Sequence, residues 1–227
     1  MSDQYDDEDI VKGRDQNDWI KAWWYWFLNI SEDRHPTFSP RYVGRHDYDD
    51  SQGSVPSEMI GSENKVWNIP GGYGPTENHR SILTLNGEGW AIAAPVYVDG
   101  VSVEEFPSLR GADDQATYNN LLAQARNDVG RVYEVVAKLD GISLDPCLME
   151  TGGGNAANPT PFIVRGLPRD NVIDVPPGEV HMVSVGYWVF IKPLPIGDHL
   201  LELTGYSNNY AVRARHVITV REPRISI

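Results

Sequence analysis

Residues 186–203 read GYWVFIKPLPIGDHLLEL. Tyr187–Ile191 is an unbroken run of β-branched and aromatic residues, which predicts a strand. Pro193, Pro195 and Gly197 punctuate it, and His199–Leu203 resumes an extended pattern, so the whole stretch predicts a β-hairpin. A strand apolar on both faces needs cover on both faces, so this one belongs inside a sandwich or under a covering loop. The rest of the chain agrees with a mainly β protein.

The chain has 227 residues and one cysteine, Cys147. That length suits a single all-β domain with a core large enough to do without staples. One cysteine makes no internal disulfide, and Cys147 reads as a small apolar filler. Net charge is −13, with 5 Lys, 14 Arg, 19 Asp and 13 Glu. Nucleic acid is therefore a poor partner, because binding it needs clustered cations. Residues 1–18 carry seven acids against Lys12 and Arg14, which predicts a mobile acidic arm or an arm that docks on a basic neighbour. The opening lacks the basic start and apolar run of a secretory signal. The longest apolar-leaning run, Ile20–Leu28, is too short to span a bilayer.

The stretch after the arm is DWIKAWWYWFLNI. Asp18 serves as an N-cap, and Trp19, Trp23 and Trp26/Phe27 recur at helical spacing, predicting a helix over 19–29. A helix that short persists only when packed, so its aromatics belong in the core. Residues 31–61 read as a long loop. Strands follow from Lys65, with Asn86–Gly87 and Asp140–Gly141 as hairpin turns and Pro95 marking a bulge or edge. Residues 113–129 predict one helix on a sheet face through Leu121, Leu122 and Ala125. In YAVRARHVITV, residues 210–220, Ala211, Arg213, Arg215 and Val217 fall on one face and Val212, Ala214, His216 and Ile218 on the other. The sum is an acidic arm over 1–18 and a single jelly-roll-like β-sandwich over 19–227 with one or two short helices.

Chemistry is hard to find. No nucleophile elbow, P-loop, dinucleotide fingerprint or zinc-protease motif is present. The six His are scattered. Only His181 and His199 have a chance of meeting, across neighbouring strands. Asp47, Asp49, Ser51 and Glu58 fall at positions 1, 3, 5 and 12 of a calcium-type loop over 47–58, but position 6 is Gln52 rather than Gly. Adjacent acids such as Glu104/Glu105 point to opposite faces of a strand and make no glycosidase pair. The reading therefore names no catalytic residue, no metal ligand and no cofactor, and assigns no binding residue.

Several motifs together resemble a little-characterised prokaryotic family, many of whose members look secreted. The family pairs a Trp-rich opening followed by His-Pro with a late G-[YF]-W-V-[FL]-[IL]-K-P-L-x-x-G-x-H hairpin. Here these are WIKAWWYW at 19–26 with His35–Pro36, and GYWVFIKPLPIGDH at 186–199. VWNIPGG at 66–72, WAIAAPVY at 90–97 and KLDGISL at 138–144 resemble the segments between them. The resemblance covers most of 19–205. It implies a β-rich domain and brings no activity or catalytic residues.

Two function classes are expected. The first is a non-enzymatic structural protein: a virion component such as a capsid decoration or minor structural protein, made in the cytoplasm, or an envelope-surface component. Its partners are other structural proteins of a larger assembly and other copies of itself, with no nucleic acid and no membrane insertion. The alternative is a carbohydrate-binding or glycan-acting domain with Trp19, Trp23, Trp24, Trp67 or Trp90 along a sugar groove.

Overall fold

The computed structural model describes residues 3–6, 9–35, 46–47, 66–69, 79–86, 89–208 and 211–222. The calcium-type loop, apart from residue 47, and most of the 31–61 loop lie outside the described residues.

The elements run in order: α1 (Gln16–Leu28), β1 (His46–Asp47), β2 (Val66–Asn68), β3 (His79–Asn86), β4 (Ala91–Ser102), α2 (Asp114–Val129), β5 (Val132–Leu139), β6 (Ile142–Leu144), β7 (Cys147–Thr151), β8 (Gly153–Asn155), β9 (Asn158–Thr160), β10 (Phe162–Leu167), β11 (Gly178–Ile191), β12 (Gly197–Ser207) and β13 (Ala211–Arg221). A six-stranded sheet has the order β1-β3-β13-β12-β5-β6. A five-stranded sheet has the order β10-β11-β4-β2, with β7 also paired to β11. β8 and β9 form a small ribbon. The pairs β1–β3, β3–β13 and β2–β4 are parallel. The fold is mainly β and sandwich-like, as its sequence predicts.

The two sheets face each other across Ile92, Ala94, Val96, Val189, Ile191, Leu201, Leu203 and Ile218. Where the six-stranded sheet ends, α2 takes over the cover: its Leu121, Leu122, Ala125 and Val129 pack with Val101, Val183 and Val185. The Asp113 carboxylate starts α2 by accepting from the Ala116 N–H at 2.8 Å. The opposite face of the five-stranded sheet is covered by α1, through Trp19, Trp23, Trp24, Trp26 and Phe27 against Trp188, Phe190 and Met182. β11 is thus buried on both faces, which accounts for its unbroken apolar run.

Two features of the opening stretch differ from expectation. β11 and β12 do not pair: β11 pairs with β4, β7 and β10, whereas β12 pairs with β5 and β13. The segment KPLPI at 192–196 is a crossover between sheets. Both hydrogen-bonding edges of β11 are taken, so its chain successor has no edge left to pair with. The strands on either side of Asn86–Gly87 also lie in different sheets. Asp140–Gly141 does make a hairpin: Leu139 opposes Ile142, and φ is 51° and 81° at the two turn residues, as a type I′ turn requires. At Pro95 the register slips, with Tyr97 opposite Tyr187 and Pro95 opposite Trp188, so Val96 is a bulged extra residue.

α1 begins at Gln16, three residues before the expected Trp19. Asp15, not Asp18, is its N-cap, accepting from the Asp18 N–H at 2.8 Å. Both acids suit the position by chemistry, and the β-region ψ of 161° selects Asp15. The residues before it lie along the end of β11. Tyr5 N–H donates to the Phe190 carbonyl at 2.8 Å, and Lys192 N–H donates to the Asp3 carbonyl at 2.9 Å. The Gln4 side-chain oxygen accepts from Asp145 N–H at 2.8 Å. Val11 is fully buried, and its carbonyl accepts the Trp19 indole N–H at 2.7 Å.

A polar clamp holds the crossover. His199 Nδ1 lies 2.8 Å from Asp140 Oδ2, and its Nε2 lies 3.0 Å from the Pro195 carbonyl. Both neighbours accept, so a doubly protonated ring satisfies both. Asp140 Oδ1 also takes the Leu200 N–H at 2.7 Å. Burial alone lowers the His199 pKa; the hydrogen bonds to Asp140 and Pro195, with the charges of Asp140 and Asp198, outweigh it and raise the value. A raised histidine pKa stabilises the fold below the ordinary value of 6.5, and that contribution is lost as pH rises through the folded value. Melting measured from pH 5 to 9 is therefore expected to show His199→Gln losing its disadvantage towards the alkaline end. A constant difference across the range would show that the ring is not charged.

Candidate functional site

Among the described residues, the outer face of the six-stranded sheet groups tyrosine and arginine side chains. Between β12 and β5 the register slips: Tyr206 opposes Glu134 and Ser207 opposes Val132, which leaves Tyr133 as an extra residue. Odd-numbered residues of β5, such as Ala137 and Leu139, point into the core. The bulge turns Tyr133 the other way, out of the sandwich, where it is 67% exposed. Its ring stacks on Tyr206, with centroids 6.1 Å apart and planes 19° from parallel. The Arg213 guanidinium lies over the far partner, 5.4 Å from the Tyr206 centroid, and reaches the Tyr206 hydroxyl at 3.3 Å.

β13 extends this stack into a stripe. Its even-numbered residues Val212, Ala214, Ile218 and Val220 are buried, so Arg213, Arg215, Val217 and Arg221 face outward. Glu202 pairs with Arg215 across strands at 3.7 Å, an exposed contact of small energetic value. Among the described residues the face thus combines two stacked tyrosines, three arginines and a half-exposed valine with the acids Glu134, Asp198 and Glu202. Tyr supplies large contact area with little ordering cost, and Tyr and Arg are both enriched in protein–protein hot spots. The β13 alternation announces the outward Arg213, Arg215 and Val217 in the sequence. The bulge that re-aims Tyr133 leaves no sequence mark.

Other chemistry-bearing residues serve the fold. Glu104 accepts the His181 backbone N–H at 2.8 Å and lies 3.1 Å from His181 Nδ1. Its neighbour Glu105 turns back to Ser102, whose hydroxyl donates to Oε2 at 2.7 Å. His181 and His199, weighed as a metal pair, are held by different carboxylates in different sheets. Among the described residues no group of three His, Cys, Asp or Glu is placed to hold a metal ion. No helix among them is long and apolar enough to cross a membrane.

The tryptophans expected along a sugar groove divide in two. Trp19, Trp23 and Trp24 are buried residues of α1, packed in its core cluster. Trp67 and Trp90 are half-buried at the β2–β4 edge, 5.6 Å apart and edge to face at 81°. The two motifs that carry the family resemblance meet in the core: the Trp23 ring stands edge-on to Trp188 at 5.4 Å. Phe27 stacks on Trp23 at 4.5 Å, and buried His35 packs edge-on to Phe27 at 4.4 Å while bonding its carbonyl at 3.1 Å. Those motifs therefore form one packing unit. Comparison with family profiles, curated proteins and solved structures finds no match for this chain.

Proposed function

We propose that this chain is a non-enzymatic structural protein that assembles through the outer face of its six-stranded sheet onto a larger surface, a virus particle or a cell envelope. The Tyr133–Tyr206–Arg213 stack carries the reading. A bulge displaces a large aromatic from a core-facing position to solvent, where it stacks on a second tyrosine capped by an arginine. An exposed tyrosine held in a stack with a half-buried tyrosine and arginine is the chemistry of a protein–protein contact. The motif residues of α1 and β11 are spent on packing, so recognition falls to a different surface.

The test is fractionation of particles and envelopes from the source, followed by mass spectrometry, with the wild-type chain beside Tyr133→Ser. The wild-type chain is expected in the assembled fraction at fixed stoichiometry, with Tyr133→Ser depleted from it but equally stable on heating. Recovery of the wild-type chain only as free protein would end the proposal. The glycan reading rests on Trp67 and Trp90; it requires a change in tryptophan fluorescence on adding glycans that is lost in Trp90→Phe.

A further inference from the structure

Asp99 places a carboxylate in the layer between α2 and the five-stranded sheet. Tyr97 and Val101, two residues to either side of it on β4, belong to the cluster that α2 covers. Gly100 faces the other way, against the Trp24 ring. Strand alternation therefore points Asp99 at α2. Its Oδ2 is buried with no hydrogen-bond partner, and the Gly100 N–H serves the carboxylate from its own strand. On β11, Val185 stands opposite Asp99 and Val183 opposite Val101. The charges that act on Asp99 are both negative: Asp128 in the last turn of α2 and Glu105 just beyond β4. The negative end of the helix dipole lies in that same last turn. The cations there are engaged elsewhere. Arg126 makes a two-pronged ion pair with Glu150 of β7, both bonds at 2.6 Å, and Arg131 lies 3.9 Å from Asp128. Gln124 donates to Asp128 as well, at 2.6 Å.

The two halves of α2 are held differently. In the first, Thr117 Oγ1 accepts the Gly111 N–H at 2.9 Å and donates to the Asp113 carbonyl at 2.8 Å, and Asn120 Nδ2 donates to the Leu109 carbonyl at 3.1 Å. The second half rests on the apolar contacts of Leu122, Ala125 and Val129 and on the exposed Arg126–Glu150 pair, which salt screens. We propose that this second half, residues 122–129, is a proton-latched cover. It lies on the sheet while Asp99 is protonated and opens locally when Asp99 ionises, baring the strip formed by Val101, Val183 and Val185. Opening hydrates the carboxylate and takes Asp128 away from it. Burial raises the Asp99 pKa to about 7, with Asp128 and Glu105 adding to the rise, and an opened α2 returns it towards 3.8. Docking is therefore strongest below 3.8, weakens as pH rises and stops changing above about 7. The apolar strip is hidden in acid and offered at neutral pH. This device goes beyond the assembly reading, which uses the outer face of the other sheet, and does not depend on it.

The experiment is hydrogen–deuterium exchange of the full chain at pH 5, 6, 7 and 8, read by mass spectrometry. Each rate is divided by the intrinsic rate of an unstructured amide at that pH, which leaves the opening equilibrium. Peptides within 122–129 are expected to be less protected than β11 at every pH. Their protection is expected to fall by up to roughly tenfold per pH unit between pH 5 and 7 and to level off by pH 8. Asp99→Asn is expected to flatten that profile. Asp128→Asn keeps Asp99 and removes one repelling charge, so its profile is expected to level off at lower pH. A flat wild-type profile overturns the inference. So does protection of 122–129 equal to that of β11 at every pH, which would mean that α2 opens only when the whole fold does. A slope that Asp99→Asn leaves unchanged overturns it too. If Asp99→Asn does not fold, the Asp128→Asn profile decides, and a levelling point no lower than that of the wild type overturns the inference.

Discussion

Replacing Trp188 with alanine is expected to lower the unfolding free energy by about 3–5 kcal/mol, the range for removing a buried large aromatic. Trp188 is 1% exposed at the middle of β11. Its ring meets Trp23 edge-on at 5.4 Å and stacks on Phe190 at 6.3 Å, so its loss opens a cavity under α1. The helix has little to hold it apart from this layer, since an isolated 13-residue helix is marginal in water. Gly100 shows how closely the layer fits: a Cβ there would fall 2.6 Å from the Trp24 ring. Trp188→Phe is expected to cost much less than Trp188→Ala. It keeps an aromatic ring in the contact and removes a buried indole N–H that has no acceptor. Urea unfolding followed by circular dichroism measures both variants. Equal losses for Phe and Ala would mean that the indole edge, rather than ring packing, sustains the layer.

The legibility of the fold follows the range of the interaction that decides each feature. β11 is legible because burial on both faces writes itself into consecutive residues, from Tyr187 to Ile191. β13 is legible because one-sided burial writes a period of two. The type I′ turn at Asp140–Gly141 is legible because φ > 0 at two successive positions selects those residues. The crossover at 192–196 is not, since Pro193, Pro195 and Gly197 specify a change of direction and not the sheet in which the next strand finds its partner. That choice depends on β4, β7 and β10 having filled both edges of β11, a fact spread over residues 91–191 of the chain. The outer face is half legible for the same reason. Arg213 and Arg215 follow from alternation, whereas Tyr133 depends on a one-residue slip against β12.

Asp99 is expected to make the fold more stable in mild acid than above neutrality. It lies on β4 opposite Val185, within the apolar layer that α2 covers, and its Oδ2 is buried with no hydrogen-bond partner. Burial raises its pKa from 3.8 to about 7, helped by the charges of Asp128 and Glu105 and opposed by the Gly100 N–H. Between those two values the folded chain holds a proton that the unfolded chain has released, so the stability tied to this group is full below 3.8, falls as pH rises and is gone above about 7. At about 1.4 kcal/mol per pKa unit, the cost of the buried charge at pH 8 is at most roughly 4 kcal/mol. Asp99→Asn removes that charge and introduces an amide that must itself be buried, at about 1–3 kcal/mol if unpaired. The variant is therefore expected to unfold at higher denaturant than the wild type at pH 8, by about 2 kcal/mol, and to lose that advantage by pH 4. Glu105 is also raised by burial and adds a slope of the same sign, and because its charge acts on Asp99 the difference between the two proteins contains that coupling together with Asp99 itself. Urea midpoints at pH 4, 6 and 8 are the measurement. An Asn variant that is less stable by the same amount at all three pH values would show that Asp99 is already ionised and paired in the folded chain, and would place its value to the fold in a contact rather than in a tolerated charge.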